Sequence, residues 1–145
     1  MDFSFIETKI LIHAKPSTVW EVFTNPILTR QMGGEYVTNW KQGSSFGWKG
    51  LDGKMLTRGK ILEIEPDSYF KHSLFETIAS EEGDSPIINS VITYRFEKED
   101  EFTELIGRED FKVPINQKEY ENIRSGWKLA LEAVKATAEA ADRKT

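Results

Sequence analysis

The side chains that most often carry catalysis or bind metals are scarce in this sequence. It contains two histidines, His13 and His72, and no cysteine. The histidines fall on different predicted strands, and a metal site would need more ligands than His72 and scattered carboxylates supply. A hydrolytic triad needs a serine, a histidine and an orienting acid together, and we identify no such set. We therefore interpret both histidines as structural and predict no metal and no other cofactor.

One carboxylate and two arginines remain as candidates for chemistry. Glu109 shares its strand phase with Leu105 and Gly107, so its side chain faces either a cavity or a solvated rim. In a cavity it would be a candidate general base. For Arg58 and Arg108 two interpretations are likewise open: they form a clamp for an acidic ligand, or they are simply exposed side chains.

Aromatic residues at alternating positions point to binding rather than catalysis. Tyr94, Phe96 and Leu105 should lie on the sheet face toward the last helix. A buried tyrosine hydroxyl or indole N–H needs a hydrogen-bond partner, which a ligand can provide. The alternative is that these residues are ordinary core. The predicted ligand-contacting residues are Phe46, Trp48, His72, Leu74, Tyr94, Phe96, Leu105, Glu109, Trp127 and Leu131.

A long amphipathic helix must position these residues from one side. The spacing predicts it over 116–140, with Asn116 as N-cap and Glu119 completing a capping box. Gly126 within it either clears room beside Trp127 or is simply tolerated. One helix face is apolar, and it consists of Tyr120, Ile123, Trp127, Ala130, Leu131, Val134 and Ala138.

The rest of the chain reads mostly as strand. A first strand over 3–13, with both faces partly covered, precedes two short helices that begin at Pro16 and Pro26 and end at Gly33. We expect Pro114 to end the sheet. Six more strands are predicted over 36–40, 46–48, 55–65, 69–77, 88–97 and 102–111. Tight turns make them antiparallel, so the fold class is α+β, with a curved sheet that leaves a cavity beside the helix.

Composition limits the partners. The 145 residues suit a single domain, and the net charge of −5 argues against nucleic acid. We find neither a membrane span nor a signal peptide, and the lack of cysteine is compatible with the cytoplasm. We interpret the acidic segment 81–86 as a solvated loop. Two alternatives stay open, namely that it gates a pocket or that it binds a basic partner.

Four segments, in order, resemble a known superfamily. They are 16–26, which contains the sequence PSTVWEVFTNP, 40–50 with WKQGSSF and WKG, 59–66 with GKILEIEP, and 126–134 with Gly126-Trp127, Leu131 and Val134. This set is similar to the START-like, birch-pollen-allergen-like (SRPBCC) superfamily with the helix-grip fold. Within it the chain resembles the bacterial branch homologous to the C-terminal domain of the activator of the heat-shock-protein-90 ATPase. Where that family often has a tryptophan pair, this chain has Gln31-Met32.

The resemblance implies a fold shared by carriers, enzymes and co-chaperones, so it does not select a function. Our first hypothesis is a monomeric module that binds a small, mostly hydrophobic ligand, lipid-like or aromatic, between sheet and helix. The second is a co-chaperone-like protein-interaction domain. The third is a cyclase or hydrolase using Glu109 or His72 in the cavity. The ligand and the oligomeric state stay open at this point.

Overall fold

The computed structural model describes residues 2–75 and 88–143. The acidic segment 81–86 lies outside these residues. The strands are β1 (Phe3–Ile12), β2 (Gly34–Thr38), β3 (Ser45–Gly50), β4 (Met55–Glu65), β5 (Tyr69–Phe75), β6 (Ile88–Glu99) and β7 (Phe102–Ile115). The helices are α1 (Pro16–Thr24), α2 (Pro26–Thr29), a 3-10 turn (Arg30–Met32) and α3 (Gln117–Arg143).

The strands form one sheet in the order β1-β7-β6-β5-β4-β3-β2, and every neighbouring pair is antiparallel. The first and last strands of the chain therefore lie together, while β2 forms the opposite edge. The sheet curves around α3, and the two short helices follow β1. This α+β helix-grip architecture confirms the fold predicted from the sequence.

The start of α3 is fixed by the predicted capping box. The Glu119 backbone N–H donates to Asn116 Oδ1 at 2.9 Å, and the Asn116 N–H donates to Glu119 Oε1 at 3.3 Å. The helix then buries Trp127, Leu131 and Val134 against the sheet. Packing of this apolar stripe, rather than helix propensity alone, holds the helix on the sheet.

Several strands begin or end one to four residues from their predicted limits, and two of these differences have a clear structural reason. Strand β2 ends at Thr38, because Trp40 adopts a left-handed conformation with φ of 54° and turns its ring into the core. Strand β7 continues through Pro114 to Ile115, which pairs with Phe3. Its pairing with β6 extends only to Phe111, so the missing N–H of Pro114 breaks no hydrogen bond to that strand.

The outer face of β1 is more open than predicted. Phe5 and Leu11 are 44% and 47% exposed, whereas Ile6 and Ile12 on the inner face are buried. The Arg108 guanidinium covers Phe5 at 4.0 Å from the ring centroid. A layer of elements covers only the inner face, as expected for an antiparallel sheet with one solvated side.

Candidate ligand-binding site

Aromatic rings fill the space beneath α1. The Phe23 ring lies 4.8 Å from Tyr94 and 5.4 Å from Phe70, and Trp20 lies 5.3 Å from Phe96, all between centroids. These tilted and edge-on contacts are favourable ring geometries. This part of the sheet–helix interior is therefore solid core.

The space around Trp127 is also filled. A β-carbon on Gly107 would overlap the Trp127 ring, so the indole lies directly against the backbone of β7. The indole Nε1–H donates to Glu109 Oε1 at 3.0 Å, and Ser90 Oγ donates to Glu109 Oε2 at 2.8 Å. The carboxylate thus anchors the tryptophan, and no hollow lies beneath that ring. A β-carbon on Gly126 would meet nothing within 4 Å, so this glycine clears no room.

A cleft remains farther along α3, where small side chains replace the tryptophan. Its volume is about 280 Å³, near the lower end of the range for small-molecule sites. The floor consists of strands β2 to β6, and the walls come from α1, the 3-10 turn and α3. It is lined by Phe23, Met32, Tyr36, Phe46, Trp48, Thr57, His72, Leu74, Ile92, Tyr94, Ala130, Ala133 and Val134.

Five of the ten predicted contact residues line this cleft, namely Phe46, Trp48, His72, Leu74 and Tyr94. The other five lie elsewhere. Phe96 and Leu105 belong to the core, and Leu131 packs at the opposite side of α3, toward β1. Trp127 and Glu109 bind each other. The involvement of all ten residues in ligand binding stays a prediction, and the proposal below uses only the first five.

Several residues that line the cleft were not among the contact residues predicted from the sequence. Ala130 and Ala133 give α3 a shallow face opposite β4 and β5, and Tyr36 approaches from the edge strand. Ile92 was recognised as an alternating strand residue but was not chosen. A signal for Ala130 is the change from Trp127 to a small residue about one turn later on the apolar face, whereas Ala133 lies about 120° around the helix from Trp127 and had no such signal.

His72 is the most unusual group in the lining, since it is a titratable side chain that is only 3% exposed. Its ring stacks on Phe46 with centroids 4.0 Å apart. Burial lowers the pKa of His72 from 6.5 to about 4, so the ring is neutral at pH 7. Its Nδ1 lies 3.0 Å from the Ser73 carbonyl oxygen.

Two tyrosines supply the other polar atoms of the cleft. Burial raises the pKa of the Tyr36 and Tyr94 hydroxyl groups, and each also affects the pKa of the other. They therefore stay protonated at physiological pH. No lysine, arginine, aspartate or glutamate is among the residues that line the cleft. The site is an apolar recess with a few uncharged polar atoms.

The other candidates for chemistry lie away from the cleft. Arg58 and Arg108 project from the outer face of the sheet, opposite Gly59 and Gly107, and Arg108 binds Asp110 at 3.0 Å. Ser45, in the Gly-x-Ser-x-Gly spacing of 43–47, begins strand β3 and does not form the strand-to-helix turn of a nucleophile elbow. Within residues 2–75 and 88–143, no three acidic or histidine side chains form a cluster that could hold a metal ion.

A second, larger groove of about 710 Å³ runs between β1 and the first half of α3. Charged side chains line much of it, including Lys9, Arg124 and Lys128. It faces the outside of the sheet–helix pair rather than their interior.

In the part of the chain that the structure describes, no helix combines the length and apolar character needed to cross a membrane.

Comparisons with known proteins identify the fold and the family. A family model described as "Activator of Hsp90 ATPase homolog 1-like protein" matches residues 13–139. A comparison with curated protein sequences gives no match.

Three solved structures show the extent of the similarity. The solution structure of ChR145 from Cytophaga hutchinsonii is 26% identical, with a TM-score of 0.75 over 97% of each chain. CalU16 from Micromonospora echinospora is 20% identical, with a TM-score of 0.70 over 92% of this chain and 75% of that chain. The Aha1 dimer from Colwellia psychrerythraea is 13% identical, with a TM-score of 0.73 over 93% and 96%. The last two support the fold alone.

Proposed function

The chain belongs to the family of activator of Hsp90 ATPase homolog 1-like proteins, and from this premise we propose that it binds a small, mostly hydrophobic ligand in the cleft between the sheet and α3. The fold consists of a sheet that encloses a helix incompletely, and the remaining recess is where a ligand would be buried. We further propose that the protein acts as a monomer in the cytoplasm.

The observation that carries this proposal is the contrast between the two ends of the interior. Near Trp127 the sheet and the helix are in direct contact, whereas a cleft of about 280 Å³ lies between them beside Ala130 and Ala133. The cleft opens to solvent beside the exposed Ala130, so its mostly apolar lining is in contact with water. A bound apolar molecule would remove this lining and its own surface from water, and that burial would provide most of the affinity.

The ligand-binding proposal is tested by NMR titration with naphthalene, a rigid apolar probe. We expect signals of Ile92, Ala133 and Val134 to shift, with those of Thr8 and Glu121 in the outer groove unchanged. Shifts confined to the outer groove, or no shifts at all, would contradict the proposal.

A second candidate is an interaction with a chaperone, which the family description suggests. The observation that favours it is a group of exposed apolar side chains around the β3–β4 hairpin. Leu51 is 70% exposed and Leu56 is 56% exposed, and Val37 and Met55 lie nearby on the outer face. Exposed apolar patches of this kind often mark protein interfaces.

The test is the ATPase rate of a bacterial heat-shock-protein-90 homologue with and without this protein. Stimulation that disappears in the Leu51→Ser, Leu56→Ser variant would support the interaction. Naphthalene binding serves as the matched control, because those substitutions lie outside the cleft. No stimulation by the wild-type protein would remove this candidate.

A further inference from the structure

The hydrogen bond between His72 and the backbone determines which of its two ring nitrogens is a hydrogen-bond acceptor. A backbone carbonyl oxygen can only accept, so the nitrogen 3.0 Å from the Ser73 oxygen must carry the proton. In a neutral imidazole the other ring nitrogen then has a lone pair and no hydrogen. The backbone of β5 thereby determines that Nε2 of His72 is an acceptor.

This acceptor is available to a ligand. No side chain of residues 2–75 or 88–143 donates a hydrogen bond to Nε2. Among the same residues, every fully buried side-chain nitrogen or oxygen has a hydrogen-bond partner. An Nε2 without a protein donor is therefore not fully buried, and because His72 lines the cleft, we place this nitrogen at the cleft, where water or a ligand can donate to it.

The tyrosine pair supplies the complementary donor. Tyr36 and Tyr94 both line the cleft, and their hydroxyl groups, each of which affects the pKa of the other, stay protonated. Even where one hydroxyl donates to the other, the second hydrogen remains for a ligand. Tyr94 and His72 are diagonal neighbours on adjacent strands, because His72 pairs with Ile92, so both groups face the same region of the cleft.

The residues that line the cleft also disfavour the binding of a charged ligand. A carboxylate ligand would bring a negative charge to a lone pair, with no lysine or arginine among the lining residues to compensate. An ether or a pure hydrocarbon would leave the His72 acceptor without a donor. The arrangement therefore favours a group that donates and accepts at once without carrying a charge.

We infer that the ligand is an uncharged alcohol or phenol whose hydroxyl donates to His72 Nε2 and accepts from the Tyr36–Tyr94 pair, with its apolar body lying against Phe46 and Trp48. This inference rests on the proposed ligand-binding function and specifies its chemical class. The volume of about 280 Å³ limits the body to a small ring system or a short chain.

The experiment compares four probes of one shape at pH 7 by calorimetry: 2-naphthol, 2-methoxynaphthalene, naphthalene and 2-naphthoate. Because a hydrogen bond is worth about 1 to 1.5 kcal/mol, 2-naphthol should bind about tenfold more tightly than 2-methoxynaphthalene. The 2-naphthoate anion should bind more weakly than naphthalene.

The matched variant is His72→Phe, which keeps an aromatic ring beside Phe46 and removes the acceptor. We expect the preference, measured as the ratio of the two dissociation constants within the variant, to fall from about tenfold to about one. Tyr94→Phe, which leaves His72 in place, should reduce the preference only in part.

The outcomes separate this inference from the function on which it rests. Equal affinities of the wild-type protein for the three uncharged probes, or tightest binding of 2-naphthoate, would overturn the inference and leave a ligand-binding cleft. Binding of none of the probes would overturn both. If His72→Phe does not fold, the probe series on the wild-type protein still decides.

Discussion

The depressed pKa of His72 predicts how the stability of the protein depends on pH. In the folded state its pKa is about 4, because burial disfavours the charged ring, whereas the reference value of 6.5 applies to the unfolded chain. The unfolded chain therefore binds a proton more readily, and acid favours unfolding. The contribution of His72 to stability is present above pH 6.5 and is lost as the pH falls toward 4.

The size of this effect follows from the two pKa values. Linkage between proton binding and unfolding gives a loss of about 2 kcal/mol between pH 7 and pH 5, approaching about 3 kcal/mol near pH 4. The change between pH 7 and pH 5 is the more informative one, since the ordinary pKa values of carboxyl groups lie below pH 5. All other titratable groups are common to the two proteins compared, so their contributions cancel in the difference between the two losses.

The assay is urea denaturation of the wild-type protein and of His72→Phe at pH 7 and pH 5. The variant loses the hydrogen bond to the Ser73 carbonyl, so its absolute stability differs, and only the change with pH is compared. We expect the wild type to lose about 2 kcal/mol more than the variant. Equal losses would show that His72 is not a buried neutral imidazole, and the reasoning about its Nε2 acceptor would be refuted.

Three further substitutions test the packing that leaves the cleft in place. Gly107→Ala should destabilise the fold by about 1 to 3 kcal/mol, because its methyl group would overlap the Trp127 ring, and a change within error would show that the indole does not lie on this backbone. Gly126→Ala, the matched control in open space on α3, should stabilise by up to about 1 kcal/mol, and thermal unfolding measures both. Asn116→Ala should cost about 1 kcal/mol in urea denaturation, because its side chain accepts from the Glu119 N–H, whereas no loss would mean that the cap does not hold the helix start.

The sequence sufficed for the fold because its signals there are local. Alternation placed Tyr94 and Phe96 on one face of β6, and helical spacing placed Trp127 and Leu131 on one face of α3. The limits it missed depend on distant partners. Pro114 stays within β7 because Ile115 pairs with Phe3, at the other end of the chain.

The site was predicted less fully for a related physical reason. Periodicity indicates which face of an element turns inward, but it does not indicate where two faces are in contact and where they separate. That depends on the position of α3 along the sheet, which the contact of Trp127 with Gly107 fixes. The tryptophan therefore fills the interior at its own position, and the recess lies one to two turns farther on, beside Ala130 and Ala133.

The central claim is that a ligand occupies the space beside Ala133, and a cleft-filling substitution tests it most directly. The measurement is the dissociation constant of 2-naphthol for Ala133→Phe, compared with the wild type and with Ala136→Phe on an exposed part of the same helix. We expect the wild type and Ala136→Phe to bind alike and Ala133→Phe to bind at least tenfold more weakly. Unchanged binding by Ala133→Phe would contradict the claim, because the ligand would then lie elsewhere.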